Sequence, residues 1–156
     1  MKKSQKGFTL VELIVVIAII GILAAILVPS MMGYVKKSKL KSANSNAKLV
    51  YTTVNGALSD LVADGKVAQV SSESFNHALP INQGNSGTNH ELKAAIDTAM
   101  ADNGSSSGAV AYFISSQKKI IWAQWADATG ATELIGQYPN PETDPDATHT
   151  FGQSFT

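Results

Sequence analysis

The most prominent feature of the hydropathy pattern is an apolar run near the N-terminus. It extends from Phe8 to Val28 and contains a single charged residue, Glu12. As a helix, the run would be about 31 Å long at about 1.5 Å per residue, which matches a hydrocarbon core of about 30 Å. A surface helix of a soluble domain keeps a polar face, whereas this run is apolar on all sides. The pattern therefore predicts a membrane-spanning helix.

The run is too long for a secretory signal peptide, whose apolar stretch has about 7–15 residues and precedes a small-residue cleavage site. Residues 29–33, which follow the run, lack such a site. Lysines flank both ends, at positions 2, 3 and 6 before the run and at 36, 37, 39 and 41 after it. Charge counting therefore leaves the orientation of the span open.

Beyond Pro29 the apolar positions recur every three or four residues, which predicts that the helix continues with one buried face. These positions are Ala43, Ala47, Val50, Val54, Leu58, Leu61 and Val62. Asp64-Gly65 follows as a helix stop, with the glycine as the expected left-handed cap. The lysines between positions 36 and 41 form either a solvated face or a contact for lipid headgroups.

The remaining sequence predicts a small α+β unit. Residues 66–89 are expected to form a loop, and a short helix then begins at the capping-box pair Thr88 and Glu91. The turn-rich segment 102–108 ends this helix, whose apolar face holds Leu92, Ala95, Ile96, Ala99 and Met100. Two apolar stretches, at 110–115 and 120–125, predict a hairpin. Further candidate strands are 132–138 and, at an edge, 148–155, with a Pro-rich loop at 139–146 between them.

Composition removes several classes of function. The chain has no cysteine, which excludes disulfides, thiol catalysis and metal–thiolate sites. Net charge is zero, but the sequence after Ser42 is acidic, which is unsuited to nucleic acid. The three histidines, His77, His90 and His149, are scattered, and neither a metalloprotease motif nor a phosphate loop is present. We therefore expect no enzymatic activity, no cofactor, no bound metal and no nucleic-acid partner.

Two further groups of residues have alternative interpretations. Trp122 and Trp125 lie three apart on a predicted strand and so face opposite sides, which favours core or subunit-contact roles. Glu142, Asp144 and Asp146 alternate in the Pro-rich loop, where their oxygens are potential Ca²⁺ ligands. Their spacing matches no calcium motif, and an ordinary solvated acidic loop is the main interpretation.

The start of the apolar run resembles a known processing site. The string K-G-F-T-L-V-E, from Lys6 to Glu12, is similar to the cleavage region of type IV prepilins with a class III leader. It is equally similar to that of their relatives, the pseudopilins of type II secretion and DNA uptake. The resemblance extends to about Tyr34, includes Gly21 and Pro29, and is architectural beyond that. It implies a type IV pilin-like fold, with a long N-terminal helix packed on a small antiparallel β-sheet.

The resemblance also implies a processing pathway. A prepilin peptidase would remove the leader, residues 1–7, by cleavage after Gly7, and would N-methylate Phe8. Residues 8–28 would form the transmembrane and assembly helix, and residues 29–156 the amphipathic extension and the extracellular globular head. The precursor would span the cytoplasmic membrane once with its N-terminus inside, and the assembled subunit would lie in a cell-surface pilus. The absence of a C-terminal disulfide is typical of Gram-positive pilins or of pseudopilins.

Three residues of the apolar run have more specific expected roles. A lone carboxylate in a membrane segment is costly and normally paired, and Glu12 has two candidate partners. One is the amine of its own Phe8 at i, i+4 spacing; the other, favoured by the resemblance, is the amine of a neighbouring subunit, which would fix axial register. Gly21 and Pro29 bracket the weakest part of the helix. They produce either a kink or, by the resemblance, a segment that melts as the subunit leaves the bilayer.

The expected function is that of a structural subunit of a type IV pilus, which assembles through its apolar N-terminal helix and serves surface adhesion or twitching motility. The alternative is a pseudopilin of a type II secretion or DNA-uptake filament, and a membrane-anchored domain that never polymerises is the third interpretation. The expected partners are further copies in a homopolymeric or mixed filament, the prepilin peptidase, the pilus assembly platform and the cytoplasmic membrane.

Overall fold

The first helix, α1, contains the predicted membrane span from Leu10 onward, and Phe8 and Thr9 precede it. The computed structural model describes residues 7–81, 89–104 and 107–155, and the chain divides into two compact units, Met1–Val35 and Lys36–Thr156. Helix α1 runs from Leu10 to Ala63 with Pro29 inside it. Among the described residues, α1 is the one helix that is long and apolar enough to cross a membrane. That finding concerns length and composition, and it agrees with the predicted span.

The second half of α1 has one buried face. This face consists of Leu40, Ala43, Asn46, Ala47, Val50, Val54, Leu58 and Leu61. The predicted apolar stripe is confirmed except at Val62, which is 58% exposed. Successive helical residues are about 100° apart, so Val62 turns away from the face on which Leu61 is buried.

A Schellman motif ends α1. The Lys66 amide donates to the Leu61 carbonyl at 2.8 Å, and the Gly65 amide donates to the Val62 carbonyl at 3.1 Å. Gly65 has a φ of 72°, a left-handed conformation that costs glycine little. The predicted glycine cap is therefore confirmed.

The other described elements of the second unit form an α+β fold. After a 3₁₀ turn at Val67–Gln69 come β1 (Glu73–Ala78), α2 (His90–Asp102), β2 (Ala109–Ile114), β3 (Ile120–Ala126) and β4 (Gly136–Tyr138). The described strands pair in the order β1-β2-β3-β4, each antiparallel to its neighbour. The predicted fold class and the predicted β2–β3 hairpin are confirmed.

The two faces of the sheet support separate apolar clusters. One cluster joins α1 and α2 to the sheet through side chains that include Val54, Leu58, Leu92, Ile96, Val110 and Tyr112. The other, on the opposite face, contains Ala109, Ala111, Trp122, Ala126, Ile135 and Phe151. Trp122 belongs to the second cluster and Trp125 packs against the first, so the prediction that they face opposite sides is confirmed.

The predicted loop at 66–89 is wrong, because it contains the 3₁₀ turn and β1. Phe75 is the buried residue of this strand, and the other positions are exposed or half-buried, so no apolar alternation marks it. Helix α2 begins at His90, with Asn89 at the N-cap instead of the expected Thr88. Thr88 itself lies outside the described residues.

Of the two predicted C-terminal strands, one is confirmed in part and the other is wrong. The candidate strand at 132–138 is confirmed only in its last part, as β4. Segment 148–155 belongs to none of the described strands, so that prediction is wrong. We call this segment the C-terminal strap. It lies against the second face of the sheet, where the side chains of Gln124 and Gln137 bind its main chain. Its His149 amide also donates to the Thr132 carbonyl at 2.9 Å, but no backbone ladder forms.

Candidate functional site

Thr9 and Glu12 form a reciprocal capping box at the start of α1. The Thr9 amide and the Thr9 hydroxyl both donate to Oε2 of Glu12, at 2.8 and 2.6 Å. In return, the Glu12 amide donates to Oγ1 of Thr9 at 3.3 Å. These bonds satisfy backbone donors that have no partner within a helical first turn.

Sequence reasoning missed this capping box. The signal that finds it is Thr-x-x-Glu at positions 9–12, the same spacing that was assigned to Thr88 and Glu91. In the uncleaved chain the nitrogen of Phe8 is a peptide nitrogen, so neither of the predicted amine partners of Glu12 is present. The pairing of Glu12 with an amine therefore stays a prediction.

The N-terminal unit presents an extensive apolar surface. Phe8 is 80% exposed, and every large apolar side chain from Leu10 to Val35 is at least 45% exposed. Soluble monomers rarely present an uninterrupted apolar surface of this extent. Lipid, other helices, or both in succession are needed to cover it.

Gly21 and Pro29 both lie within the continuous helix. Apart from the adjacent residues and the backbone of its own helix turn, no heavy atom in the described part of the chain lies within 4 Å of the position that a Cβ at Gly21 would take. Packing inside this unit therefore does not require a glycine there. Pro29 lacks an amide hydrogen, which leaves the carbonyl of Ala25 without its helical donor. The kink and the melting segment stay alternative predictions.

The acidic loop is held by separate hydrogen bonds. Oε1 of Glu142 accepts the amides of Thr143 and Asp144 at 2.7 and 2.8 Å, and Nε2 of His149 lies 2.5 Å from Oε2. The Asp144 amide, with smaller contributions from His149 and Thr143, holds the pKa of Glu142 below its usual value. In the described ranges, no group of three or more His, Cys, Asp or Glu residues could hold a metal ion.

Asp146 binds elsewhere, since its Oδ1 accepts a hydrogen bond from Nζ of Lys36 at 2.6 Å. This carboxylate raises the pKa of the Lys36 ammonium group through the hydrogen bond and the attraction of opposite charges. Both side chains are substantially exposed, so the pair contributes little to stability. The predicted acidic loop is thus tied to α1 at one end and to His149 at the other.

A buried polar group was also not foreseen from the sequence. The Tyr112 hydroxyl donates to Oε1 of Glu73 at 2.8 Å, and Nζ of Lys93 lies 3.8 Å from Oε2 of Glu73. Burial, together with the Glu73 carboxylate, raises the pKa of the Tyr112 hydroxyl. The three residues link β2, β1 and α2, so we assign them to the stability of the fold.

Comparison with known proteins adds information about the N-terminal region. Residues 2–28 match the family described as the prokaryotic N-terminal methylation motif. The chain is 39% identical to the type IV major alpha-pilin of Moraxella bovis over 106 residues, which are 65% of this chain and 64% of that protein. It is 46% identical to a type IV major fimbrial protein of Dichelobacter nodosus over 68 residues, 44% of this chain and 41% of that protein.

A type IV major pilin of Myxococcus xanthus is 46% identical over 56 residues, 36% of this chain and 26% of that protein. The chain therefore matches less than two thirds of the length of these relatives. No solved structure matches the chain. The chain is therefore similar to type IV pilins over part of its length. The matched methylation motif includes Lys6 to Glu12, the residues on which the resemblance was based.

Proposed function

We propose that this chain is the precursor of a structural subunit of a type IV pilus, which assembles into the filament through its apolar N-terminal helix. The observation that carries the proposal is the overlap of two features: residues 2–28 match the methylation motif, and the large apolar side chains of α1 from Leu10 to Val28 are each at least 45% exposed. A membrane covers that surface before assembly, and the helices of neighbouring copies cover it in a filament.

The proposed processing follows from the position of the motif. The leader, residues 1–7, is cleaved after Gly7 by a prepilin peptidase, which also methylates the new N-terminus at Phe8. Gly7, Phe8 and Thr9 precede the helix and are exposed, which suits a bond that a peptidase must reach. The precursor spans the cytoplasmic membrane once with its N-terminus inside. An assembly platform then transfers residues 8–28 into the filament and leaves the head, within 29–156, outside.

The similarity to proteins named as major pilins and fimbrial proteins favours a surface pilus over the alternative, a pseudopilin of a secretion or DNA-uptake filament. The proposed partners are further copies of the chain, the peptidase, the platform and the membrane, and no catalytic role is proposed. A Gram-positive type, which the absence of a disulfide had suggested, finds no support in these relatives, because they come from Gram-negative bacteria.

Mass spectrometry of filaments sheared from producing cells tests the processing. We expect a subunit that begins with N-methyl-Phe8, and we expect Gly7→Val to leave the full-length precursor in the membrane. Ser4→Val, inside the leader but away from the bond, is the matched control and should be processed normally. A filament subunit that begins at Met1, or that is cut after Ala25 or Ser30, contradicts the proposal. Antibody labelling of surface filaments in electron micrographs distinguishes a pilus from a pseudopilus.

A further inference from the structure

The outer side of the C-terminal strap lines a polar cavity of about 460 Å³. This volume lies within the range of about 300–1,000 Å³ that is usual for small-ligand sites. One lining residue, Thr132, precedes β4, and the others all belong to the strap. They are Thr148, His149, Thr150, Gln153, Ser154 and Phe155. The strap therefore supplies most of a candidate binding site.

A turn in the strap allows residues on both sides of it to line the same cavity. The Gln153 amide donates to the Thr150 carbonyl at 3.2 Å. Gly152 has a φ of 87°, a conformation that costs glycine little. A Cβ at this position would lie 2.7 Å from Nδ2 of Asn76. Conformation and contact thus both favour a glycine in the turn that shapes the cavity.

Two buried glutamines hold the main chain of the strap from the side of the sheet. Gln124 in β3 and Gln137 in β4 are 0% and 1% exposed. Oε1 of Gln124 accepts the Gly152 amide at 2.8 Å, and its Nε2 donates to the Gln153 carbonyl at 2.7 Å. Gln137 binds the amide and the carbonyl of Phe155 at 3.1 and 2.7 Å. The cavity is therefore built on a fixed main chain, which lowers the entropic cost of binding a ligand.

The polar side chains that line the cavity have hydrogen-bonding capacity to spare. They carry four hydroxyl groups and one primary amide, all exposed, on Thr132, Thr148, Thr150, Ser154 and Gln153. Within residues 7–81, 89–104 and 107–155, none of these five side chains makes a hydrogen bond to another residue. Hydroxyl and amide groups both donate and accept. They match a ligand that itself presents several hydroxyl groups.

The charge of the cavity favours a neutral ligand. Among the described residues that line it, His149 has the one titratable side chain, and its Nε2 lies 2.5 Å from Oε2 of Glu142. A bound anion would find no lysine or arginine in this lining, and a bound cation would find no carboxylate. Either ion would lose hydration without a counter-charge.

The rings of His149 and Phe155 give the cavity an apolar part. They are stacked, with centroids 3.8 Å apart and an angle of 15° between their planes, and both residues are half-buried. Aromatic rings contribute apolar contact area beside the polar groups. A sugar ring combines the same two properties, because its hydroxyl groups alternate with C–H groups.

We propose that this cavity is a binding site for neutral saccharides, as a free sugar or as the end of a glycan chain. The hydroxyl groups and the Gln153 amide bind the sugar hydroxyls, and the two rings contact its C–H groups. The site lies within the unit from Lys36 to Thr156 and does not depend on filament assembly. Failure of the proposed function would therefore leave this proposal standing.

Saturation-transfer difference NMR on the full chain tests the site, in a detergent whose headgroup carries no sugar. The probes are the methyl glycosides of glucose, galactose, mannose and N-acetylglucosamine. We expect saturable binding of at least one of them in the millimolar range, since a single sugar ring makes only a few hydrogen bonds. The proposal is overturned if none of them binds.

Thr148→Val with Thr150→Val removes two hydroxyl groups from the cavity with little change in side-chain size. Thr143→Val is the matched control, because Thr143 lies outside the cavity lining. All three threonines are exposed, and circular dichroism verifies that both variants are folded. We expect the double variant to bind the sugar at least about tenfold more weakly and the control to bind it normally. Unchanged binding by the double variant, or an equal loss in the control, contradicts the site.

Two further probes test the charge and the source of the ligand. A derivative of the best-bound sugar with a carboxylate at C6 should bind more weakly at pH 7, and equal or tighter binding of it contradicts a neutral ligand. A disaccharide that ends in the best-bound sugar represents a glycan chain. Tighter binding of this disaccharide than of the single sugar assigns the site to glycan chains, and weaker binding assigns it to the free sugar.

Discussion

Thr9 and Glu12 satisfy each other's hydrogen-bonding groups before any neighbouring subunit is present. The two bonds to Oε2 reduce the cost of carrying a carboxylate into the membrane, because they replace part of its hydration. Thr9 is neutral, so these bonds do not neutralise the charge. A cation that approaches this end of the helix is therefore attracted, and the free amine that the proposed cleavage would create is such a cation.

We expect Glu12→Gln to abolish or greatly slow filament assembly while membrane insertion and cleavage stay normal. At an effective dielectric constant near 20, a carboxylate and an amine about 4 Å apart attract each other by roughly 4 kcal/mol before desolvation is subtracted. Glutamine lacks this attraction and leaves the incoming amine buried without a counter-charge, which costs about 3–5 kcal/mol. Immunoblots of precursor, mature subunit and sheared filament measure the three stages separately.

Thr9→Val is the matched control for this experiment. Glutamine is also favoured at the third position of a capping box, so Glu12→Gln keeps much of the cap and removes the charge. Thr9→Val does the reverse, with a cost of about 1 kcal/mol to the helix start. We expect filaments from Thr9→Val. A normal filament yield from Glu12→Gln would mean that Glu12 acts only as a helix-terminal acid.

Features that depend on a few consecutive residues, such as helix caps, can be predicted from the sequence. The Gly65 cap was predicted because a Schellman motif depends on a few consecutive residues. The capping box of Thr9 and Glu12 is equally local, but it lies at a position where the apolar surroundings of Glu12 favour pairing with an amine, so its Thr-x-x-Glu spacing was overlooked. The contact of Lys93 with Glu73 was not predictable, because its partners belong to different elements.

Among the helices and strands, the apolar pattern predicted the elements that have an extensive buried face. Helix α1, helix α2 and the β2–β3 hairpin were found because their buried positions are apolar and periodic. Strand β1 was missed because it lies at a sheet edge with Phe75 as its buried residue. The apolar residues of the strap fit the pattern of a strand, but most of its main-chain partners outside the strap are side chains, chiefly Gln124 and Gln137, and hydropathy does not predict such contacts.

The packing of β4 on α1 leaves no room for a side chain at Gly136. A Cβ there would lie 2.0 Å from the carbonyl carbon of Ala43 and 2.4 Å from the nitrogen of Asn44. We expect Gly136→Ala to lower the free energy of unfolding by about 2–3 kcal/mol, because the strand must move away from the helix backbone. Thermal unfolding of the full chain in detergent, followed by near-ultraviolet circular dichroism, measures the change.

Gly56→Ala, in helix α1, is a control for which we expect a change in stability of the opposite sign. Gly56 is exposed, and apart from the adjacent residues and the backbone of its own helix turn, no atom in the described part of the chain lies within 4 Å of its Cβ position. Alanine there should raise stability by about 0.5–1 kcal/mol, because it restricts the unfolded chain and favours the helix. Equal effects of the two substitutions would contradict the close contact between β4 and α1.

At the scale of the whole molecule, the exposed apolar surface and the packed core belong to different units. Among the described residues, the large apolar side chains that are exposed lie at or before Val35, except for Val62 and Ile121. The unit from Lys36 to Thr156 contains both apolar clusters and the sheet. A unit with its own core is expected to fold alone, and its mostly polar surface gives it little tendency to associate.

We therefore expect a fragment that begins at Ser30 to be soluble, folded and monomeric. Truncation there removes the residues that need lipid or neighbouring helices, and it keeps the part of α1 whose buried face starts at Leu40. The fragment still exposes Met31, Met32, Tyr34 and Val35, so a second fragment that begins at Lys36 is the matched control for their effect. Sedimentation velocity measures the mass of both.

Stable fibres from the Lys36 fragment would show that the unit from Lys36 to Thr156 associates by itself, which would contradict assembly through the N-terminal helix. Association of the Ser30 fragment alone would assign the contact to residues 30–35 and move the boundary of the assembly helix toward the head.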